Sequence, residues 1–283
     1  MNDSARGTIT VDTARLPLLL RELRLPTIAA MWQTFTERAD REAWPTARLL
    51  AALAELELGE RAQRRIQRHL IEAHLPPGKT LDSFDFTAVP MISRAHVAAL
   101  LTGDGWIERG DTILLFGPSG SGKSHLSAAF GHALVEHGYR VLFTRTTDLV
   151  QRLQQARQAL SLESAIEKLD KYHLLILEDL CYVRKDQAET SVLFELIAAR
   201  YERRSLMITA NHPFGEWTSV FPDAAMTLAA VDRLVHHSTI FEMNVESYRR
   251  KAAAARAPRK PKSSSDSKHD SNEQQSTASQ DSA

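Results

Sequence analysis

The sequence predicts an α/β fold in which a parallel sheet is covered on both faces by helices, behind an N-terminal region that is entirely helical. Three observations predict it. Five short apolar runs alternate with helix-length amphipathic stretches after about residue 106, the pattern of strands joined by crossover helices. A glycine-rich loop separates the first such run from the first such helix. Upstream, residues 12 to about 75 contain no strand-like run and keep a helical spacing of leucines, as a bundle of helices would.

In the N-terminal region, Pro26 and Pro45 each stand where a helix can begin, because the first turn needs no N–H there. Leu49, Leu50, Leu53, Leu56, Ile66 and Leu70 then roughly keep a helical period until PPGK (76–79) ends the zone. TLDSFDF (80–86) is expected to be a short extended piece and RAHVAALL (94–101) a short helix. The expected strands are DTILLF (111–116), YRVLFT (139–144), HLLILE (173–178), SLMIT (205–209) and STIFEM (238–243), with helices near 122–137, 147–160, 188–203 and 224–237. Gly138 stands where a left-handed residue would close the first of these helices. The organisation read from these patterns is a helical domain over 1–88, a connector over 89–105, an α/β core over 106–256 and a disordered tail over 257–283. The tail has no aromatic and almost no apolar residue, so it cannot offset the entropy of ordering.

Composition narrows the function. The 283 residues carry 35 basic and 35 acidic side chains, a formal net charge of +0. Any nucleic-acid site must therefore be a local patch rather than a property of the whole surface. The single cysteine, Cys181, rules out an internal disulfide and suits a reducing compartment. Its position after two carboxylates, with no base nearby in sequence, reads as a small buried side chain rather than a nucleophile. The polar start MNDSARGTITVD has no apolar core of a signal peptide, and no run approaches the length of a membrane span. The expectation is a cytoplasmic protein without membrane contact.

GPSGSGKS, residues 117–124, carries the chemistry. It fits G-x-x-x-x-G-K-[ST], follows an apolar strand and precedes a helix, the context of a phosphate-binding loop. Gly117, Gly120 and Gly122 permit backbone conformations closed to side chains. Between and after them, Pro118, Ser119, Ser121 and His125 complete the candidate nucleotide cradle, whose successive N–H groups form an anion nest at a helix N-terminus. Lys123 offers a point charge to the β- and γ-phosphates and Ser124 a hydroxyl to Mg²⁺. A mere glycine-rich turn would match these four fixed positions by chance in about 1% of chains of this length. A nucleoside triphosphate and Mg²⁺ are the expected ligands.

A P-loop needs an acidic partner at the end of a second buried strand. HLLILED supplies it, with Glu178 and Asp179 about fifty residues after Lys123. Neighbouring strand residues face opposite sides, so the two carboxylates are expected to have separate tasks. SLMITANHPFGEW (205–217) places Thr209 and Asn211 at the carboxyl end of another strand, where ligands bind in such sheets; either could reach the γ-phosphate, and a turn-forming role for Asn211 is the alternative. Arg233, in AAVDRLVHHSTIFEM (229–243), suits a transition-state finger lent to a neighbouring subunit or a surface pair with Asp232 of little energetic weight. His236 and His237 have no Cys or carboxylate at metal-ligand spacing, so packing or interface contacts are expected there.

Arg61, Arg64, Arg65 and Arg68 fall on one helix face. As four phosphate contacts they would produce a log–log salt slope of about −3.6. As partners of Glu57 and Glu60 at i, i+4 they would instead stabilise the helix by roughly 0.2–0.5 kcal/mol per pair. Arg184 and Lys185, beyond the carboxylates, form a second candidate patch, and KPK in the tail a third.

GPSGSGKSHL, LLILEDLCYVRKDQAE, ARYERRSLMITANHPFGEW and VDRLVHHSTIFEMNVESYR, in this order and spacing, resemble the IstB-like ATPases, the transposition helpers of bacterial insertion sequences. KTLDSFDF and WIERGDTILLFGP are similar to that family as well, and the resemblance spans roughly residues 10–250. It implies an AAA+ P-loop NTPase core of a parallel five-stranded sheet sandwiched by helices, related to the DnaC helicase loader. It further implies ATP as cofactor, homo-oligomers bridged at shared sites, double-stranded DNA as target, and a cognate transposase as partner. Residue by residue it implies that Lys123 and Ser124 are the Walker A pair, Glu178 the Walker B acid, Asp179 the water-polarising acid, Asn211 the sensor and Arg233 the finger. Glu178 departs from the usual aspartate by one methylene, which a metal contact through bound water tolerates. The alternatives are a helicase loader using the same switch, a small-molecule P-loop kinase, and an adaptor whose chemistry the Glu178 substitution has silenced.

Overall fold

The computed structural model describes residues 13–102, 105–181 and 186–245. Arg184, Lys185 and the tail from residue 257 lie outside the described residues. A 3-10 turn (Thr13–Arg15) leads into α1 (Leu16–Glu22), α2 (Pro26–Arg41) and the 28-residue α3 (Thr46–Ala73). Pro26 is the first residue of α2, and Pro45 immediately precedes α3, as their missing N–H groups favour. α1 and α2 pack against one another and α2 against α3. The buried Glu57 of α3 accepts the N–H groups of Thr27 and Ile28 at 2.8 and 3.1 Å, capping the start of α2 from a different helix.

α3 ends at His74 in the left-handed conformation. The following segment is not extended. Ser83 Oγ accepts from Thr80 N–H and donates to the Gly78 carbonyl, and Asp85 caps a 3-10 turn, Phe86–Ala88, through the N–H groups of Thr87 and Ala88. Short polar side chains that bond their own backbone displace a strand. α4 (Arg94–Thr102) and α5 (Trp106–Arg109) complete the approach to the sheet.

Five parallel strands follow, β1 (Thr112–Phe116), β2 (Val141–Arg145), β3 (Leu174–Glu178), β4 (Ser205–Ala210) and β5 (Ser238–Glu242), in the order β2-β3-β4-β1-β5. Helices α6 (Lys123–Glu136), α7 (Thr146–Gln158), α8 (Leu162–Glu167), α9 (Gln187–Arg200), α10 (Trp217–Val220) and α11 (Ala224–His236) connect them. Every expected strand is present within two residues of its expected ends, and α8 and α10 are additions. Gly138, at φ +90, closes α6 as expected, with Tyr139 N–H bonded to the Leu134 carbonyl at 3.0 Å.

The sheet has two apolar faces because both are covered. On one, Leu175 and Leu177 pack with Leu149, Leu153, Leu193 and Leu196. On the other, Ile176 packs with Phe130, Leu134, Val89, Ile92 and Val97. Leu174 through Leu177 of β3 are fully buried, and each contributes roughly 1.5–3 kcal/mol. The C-terminal part of α3 lies against α6 and β2, and its Ala73 belongs to the second of these clusters. Arg200 is fully buried and ties three chain segments together by donating to the carbonyls of Leu169, Tyr172 and Ser205 at 3.0–3.1 Å. Burial pushes its guanidinium down to about 10.

Candidate functional site

One large cavity, of about 1170 Å³, opens at the carboxyl ends of the strands. The loop after β1 forms its floor: Ser119 through His125 line it, and α6 points its N-terminus into it. Gly120 and Gly122 hold φ of +83 and +103, conformations that a side chain would strain. Gly117, at φ +148, answers a different demand. A Cβ there would meet the Met243 carbonyl at 2.4 Å, where the chain leaving β5 crosses the loop and Met243 N–H bonds Phe116 O at 2.7 Å. Gly117 and Pro118 therefore shape the loop from below without lining the cavity.

Lys123 is almost fully buried, and its ammonium donates to the carbonyls of Gly117 and Pro118 at 2.6 and 2.9 Å. Among the described residues the buried Ser121 Oγ has no hydrogen-bond partner. A cation folded over its own loop, first-turn N–H groups at a helix start and a Ser124 hydroxyl on the cavity wall form a donor set that fits a polyphosphate. Ser124, Glu178 and Asp179 add oxygen ligands of the type that a hard cation such as Mg²⁺ takes.

Glu178 ends β3 beside Arg145 of β2, and its carbonyl accepts from the Thr146 hydroxyl at 3.0 Å. Asp179 does not continue the strand. It stands at φ +57, outside the pleat, so the expected opposition of the two carboxylates across a strand does not hold; both half-buried side chains line the same cavity. Asp179 N–H donates to Thr209 Oγ1, and Leu180 N–H to the Thr209 carbonyl, both at 2.9 Å. Thr209 is fully buried and is not on the cavity wall; it holds the carboxylate turn from behind instead of facing a ligand. Asn211, two residues on, lines the cavity. Cys181 is buried behind the carboxylates.

Sequence reasoning missed the opposite wall. Lys79, Ser83, Phe84 and Asp85 line the cavity together with Arg145 and Arg152. His125 Nε2 contacts Ser83 Oγ at 3.0 Å and the Thr80 carbonyl at 3.2 Å, and its ring meets Phe84 edge-on. Burial holds the His125 imidazole below its ordinary value, against the opposing pull of the Thr80 carbonyl. The segment joining α3 to the core thus clasps the helix that carries Lys123. The motif KTLDSFDF marked this segment, but nothing in its composition indicated a cavity wall.

Arg233 is elsewhere. It is exposed on α11, where its guanidinium donates to the Ala229 carbonyl at 3.0 Å. It lines a shallow depression with Gly110, Tyr201, Glu202, Arg204 and His237, residues that precede β1, β4 and β5. These are the amino ends of the strands, so the five-residue β1, about 16 Å long, separates Arg233 from the cavity of its own chain. The same depression corrects an expectation. His236 and His237 do have a carboxylate beside them: Glu202, from the turn before β4, stands 3.7 and 3.5 Å from their ring nitrogens.

The arginine face of α3 is partly committed inside the fold. Arg61 bonds Glu57 at 3.0 Å and the Arg24 carbonyl; Arg64 bonds Thr27 Oγ1 at 3.0 Å and Glu57 at 3.4 Å. Glu60 contributes its backbone carbonyl to Arg64. Among the described residues, no helix is long and apolar enough to cross a membrane.

The fold is shared with the AMPPCP-bound DnaA of Aquifex aeolicus, at a TM-score of 0.51 and 18% identity over 63% of this chain and 54% of that one. The shared architecture is a parallel sheet sandwiched by helices. An insertion-sequence ATP-binding protein of Sinorhizobium fredii (strain NBRC 101917 / NGR234) is 72% identical over 86% of this chain and 82% of its own length. The IS21 ATP-binding protein of Pseudomonas aeruginosa is 36% identical over 83% of this chain and 89% of its own. The IstB-like ATP binding protein model matches residues 18–256, and with a P-loop cavity at the head of a parallel sheet the chain belongs to the IstB-like ATP-binding proteins of insertion sequences.

Proposed function

We propose that this protein is a Mg²⁺-dependent ATPase of the cytoplasm whose subunits assemble on double-stranded DNA and regulate the transposase encoded by the same insertion sequence. One observation carries the reading: Lys123, Ser124, Glu178, Asp179 and Asn211 gather at the carboxyl ends of the strands while Arg233 stands at their amino ends. An arginine so placed serves no chemistry in its own chain, but a neighbouring subunit can present it to a γ-phosphate.

In this reading Lys123 leaves the Gly117 and Pro118 carbonyls for the phosphates, and the N–H groups of the loop hold the chain of oxygens. Ser124 and Glu178 would hold Mg²⁺, which neutralises charge on the phosphates when bound. Asp179 orients the attacking water and takes its proton, and Asn211 positions the same water. Arg233 of the adjacent subunit stabilises the transferring phosphoryl group. ATP then joins subunits, and hydrolysis loosens them. The helices before residue 89 form a domain for DNA or transposase contacts, and residues 89–105 connect it to the core. The insertion-sequence relatives support the DNA and transposase partners.

The test is ATP hydrolysis against protein concentration, with and without duplex DNA, for wild type and Arg233→Ala. A DNA-stimulated rate that rises more steeply than linearly with protein, both features lost in the variant, supports the shared site. A DNA-independent rate that is linear in protein and untouched by the substitution overturns it, and a small-molecule kinase then explains the P-loop better.

A further inference from the structure

We infer that Glu202, His236 and His237 form a binding site for a divalent transition-metal cation, with zinc the best match to the ligand types. The chain places the three far apart, since Glu202 follows α9 and the histidines close α11. The fold brings one ligand atom from each to within 4.8 Å of the others. Glu202 Oε1 stands 3.5 Å from His237 Nε2 and 3.7 Å from His236 Nδ1. These separations are long for hydrogen bonds. They are close to the spacing of about 3.3 Å that ligands at about 2.0–2.1 Å from a tetrahedral zinc impose on each other.

Two imidazoles and one carboxylate are a known zinc donor set that leaves a fourth position for water. The side chains are 54, 53 and 52% exposed, so an ion enters directly from solvent. The surroundings discriminate among cations. Arg204 and Arg233 face the same depression and oppose positive charge, while Asp232 adds one carboxylate on α11. A hard cation that depends on oxygen ligands, such as Mg²⁺, gains too little here, whereas imidazole bonding suits zinc. One hydrogen bond competes. The Tyr201 hydroxyl sits 2.6 Å from His236 Nδ1, and a metal on that nitrogen displaces it.

The site has a consequence that rests on the proposed function. His237 lines the depression that contains Arg233, so a bound zinc ion lies on the surface that would meet the neighbouring subunit. Metal binding itself does not depend on that reading.

The test is calorimetric titration of untagged, nucleotide-free full chain with zinc chloride alone, and separately with magnesium chloride. The expected result is one zinc site in the micromolar range with no magnesium binding there. His237→Ala and Glu202→Gln should each weaken zinc at least tenfold, Tyr201→Phe should tighten it, and His137→Ala, at an exposed histidine elsewhere, should leave it unchanged. No zinc binding by the wild type, or wild-type zinc affinity in both His237→Ala and Glu202→Gln, overturns the site, and neither result bears on ATP hydrolysis. Absence of hydrolysis, in turn, would sink the ATPase reading and leave the titration standing.

Discussion

The N–H of Asp179 donates to Oγ1 of Thr209 at 2.9 Å, across the gap between β3 and β4. The bond holds a carboxylate in a left-handed conformation that costs a non-glycine residue about 1–2 kcal/mol. Thr209→Val keeps the shape and removes the acceptor, leaving a half-buried N–H unpaired at a cost of up to about 1–3 kcal/mol. If that strain is released by movement of Asp179, turnover falls about tenfold to a hundredfold while nucleotide affinity stays within about threefold. Thr209→Ser keeps the hydroxyl and should restore turnover. Steady-state hydrolysis beside equilibrium nucleotide binding checks it; a Thr209→Val enzyme with wild-type turnover would show that the clamp does not matter.

The two carboxylates should separate by phenotype even though they share a cavity. Glu178→Gln should weaken ATP binding about tenfold to a hundredfold in the presence of magnesium, since a charged contact is worth about 1.5–3 kcal/mol, and change little in its absence. Asp179→Asn should bind ATP normally and lose about 10²–10⁴ in turnover. Loss of binding in Asp179→Asn would reverse the two assignments. Nucleotide titrations with and without chelator, followed by single-turnover hydrolysis, make the comparison.

Acid should loosen the N-terminal helices through Glu57. Burial raises its pKa, but hydrogen bonds from Ile28 N–H, Arg61 and Thr27 N–H outweigh it, and the folded value lies below the ordinary 4.5. A depressed carboxyl contributes stability that is present above 4.5 and lost as pH falls through the folded value. Glu57→Ala should therefore cost about 0.5–2 kcal/mol near neutral pH, the range for removing a helix cap. The difference should vanish on acidification. Helical circular dichroism during denaturant titration across that pH range measures it; a difference that grows in acid contradicts the sign.

Duplex binding should show a shallow salt dependence if the arginine face of α3 contacts phosphate. Arg61 and Arg64 are occupied by Glu57, Thr27 and the Arg24 carbonyl. Arg65 and Arg68 alone would contribute a log–log slope of about −1.8 in place of about −3.6. Affinity measured across a salt series for wild type and Arg65→Ala/Arg68→Ala decides: the double variant should lose nearly all of that contribution, and an unchanged slope places the DNA elsewhere.

What the sequence alone determined is local. Each strand of the sheet is a short apolar run bounded by polar residues, and HLLILE and SLMIT are legible because burial on both faces demands unbroken aliphatics. The phosphate loop is legible for the same kind of reason: its glycines, Lys123 and Ser124 act within eight consecutive residues. Tertiary structure decided whatever depends on residues distant in the chain. It turned Asp179 out of β3 by pairing its N–H with Thr209, thirty positions away. It used Gly117 to admit Met243, and folded Ser83 and Phe84 over His125. It separated Arg233 from the cavity by the length of a strand and set Glu202 beside His236 and His237. Hydrophobic period and propensity are properties of neighbours along the chain. These juxtapositions follow from the order in which the strands assemble, and no local window contains that order.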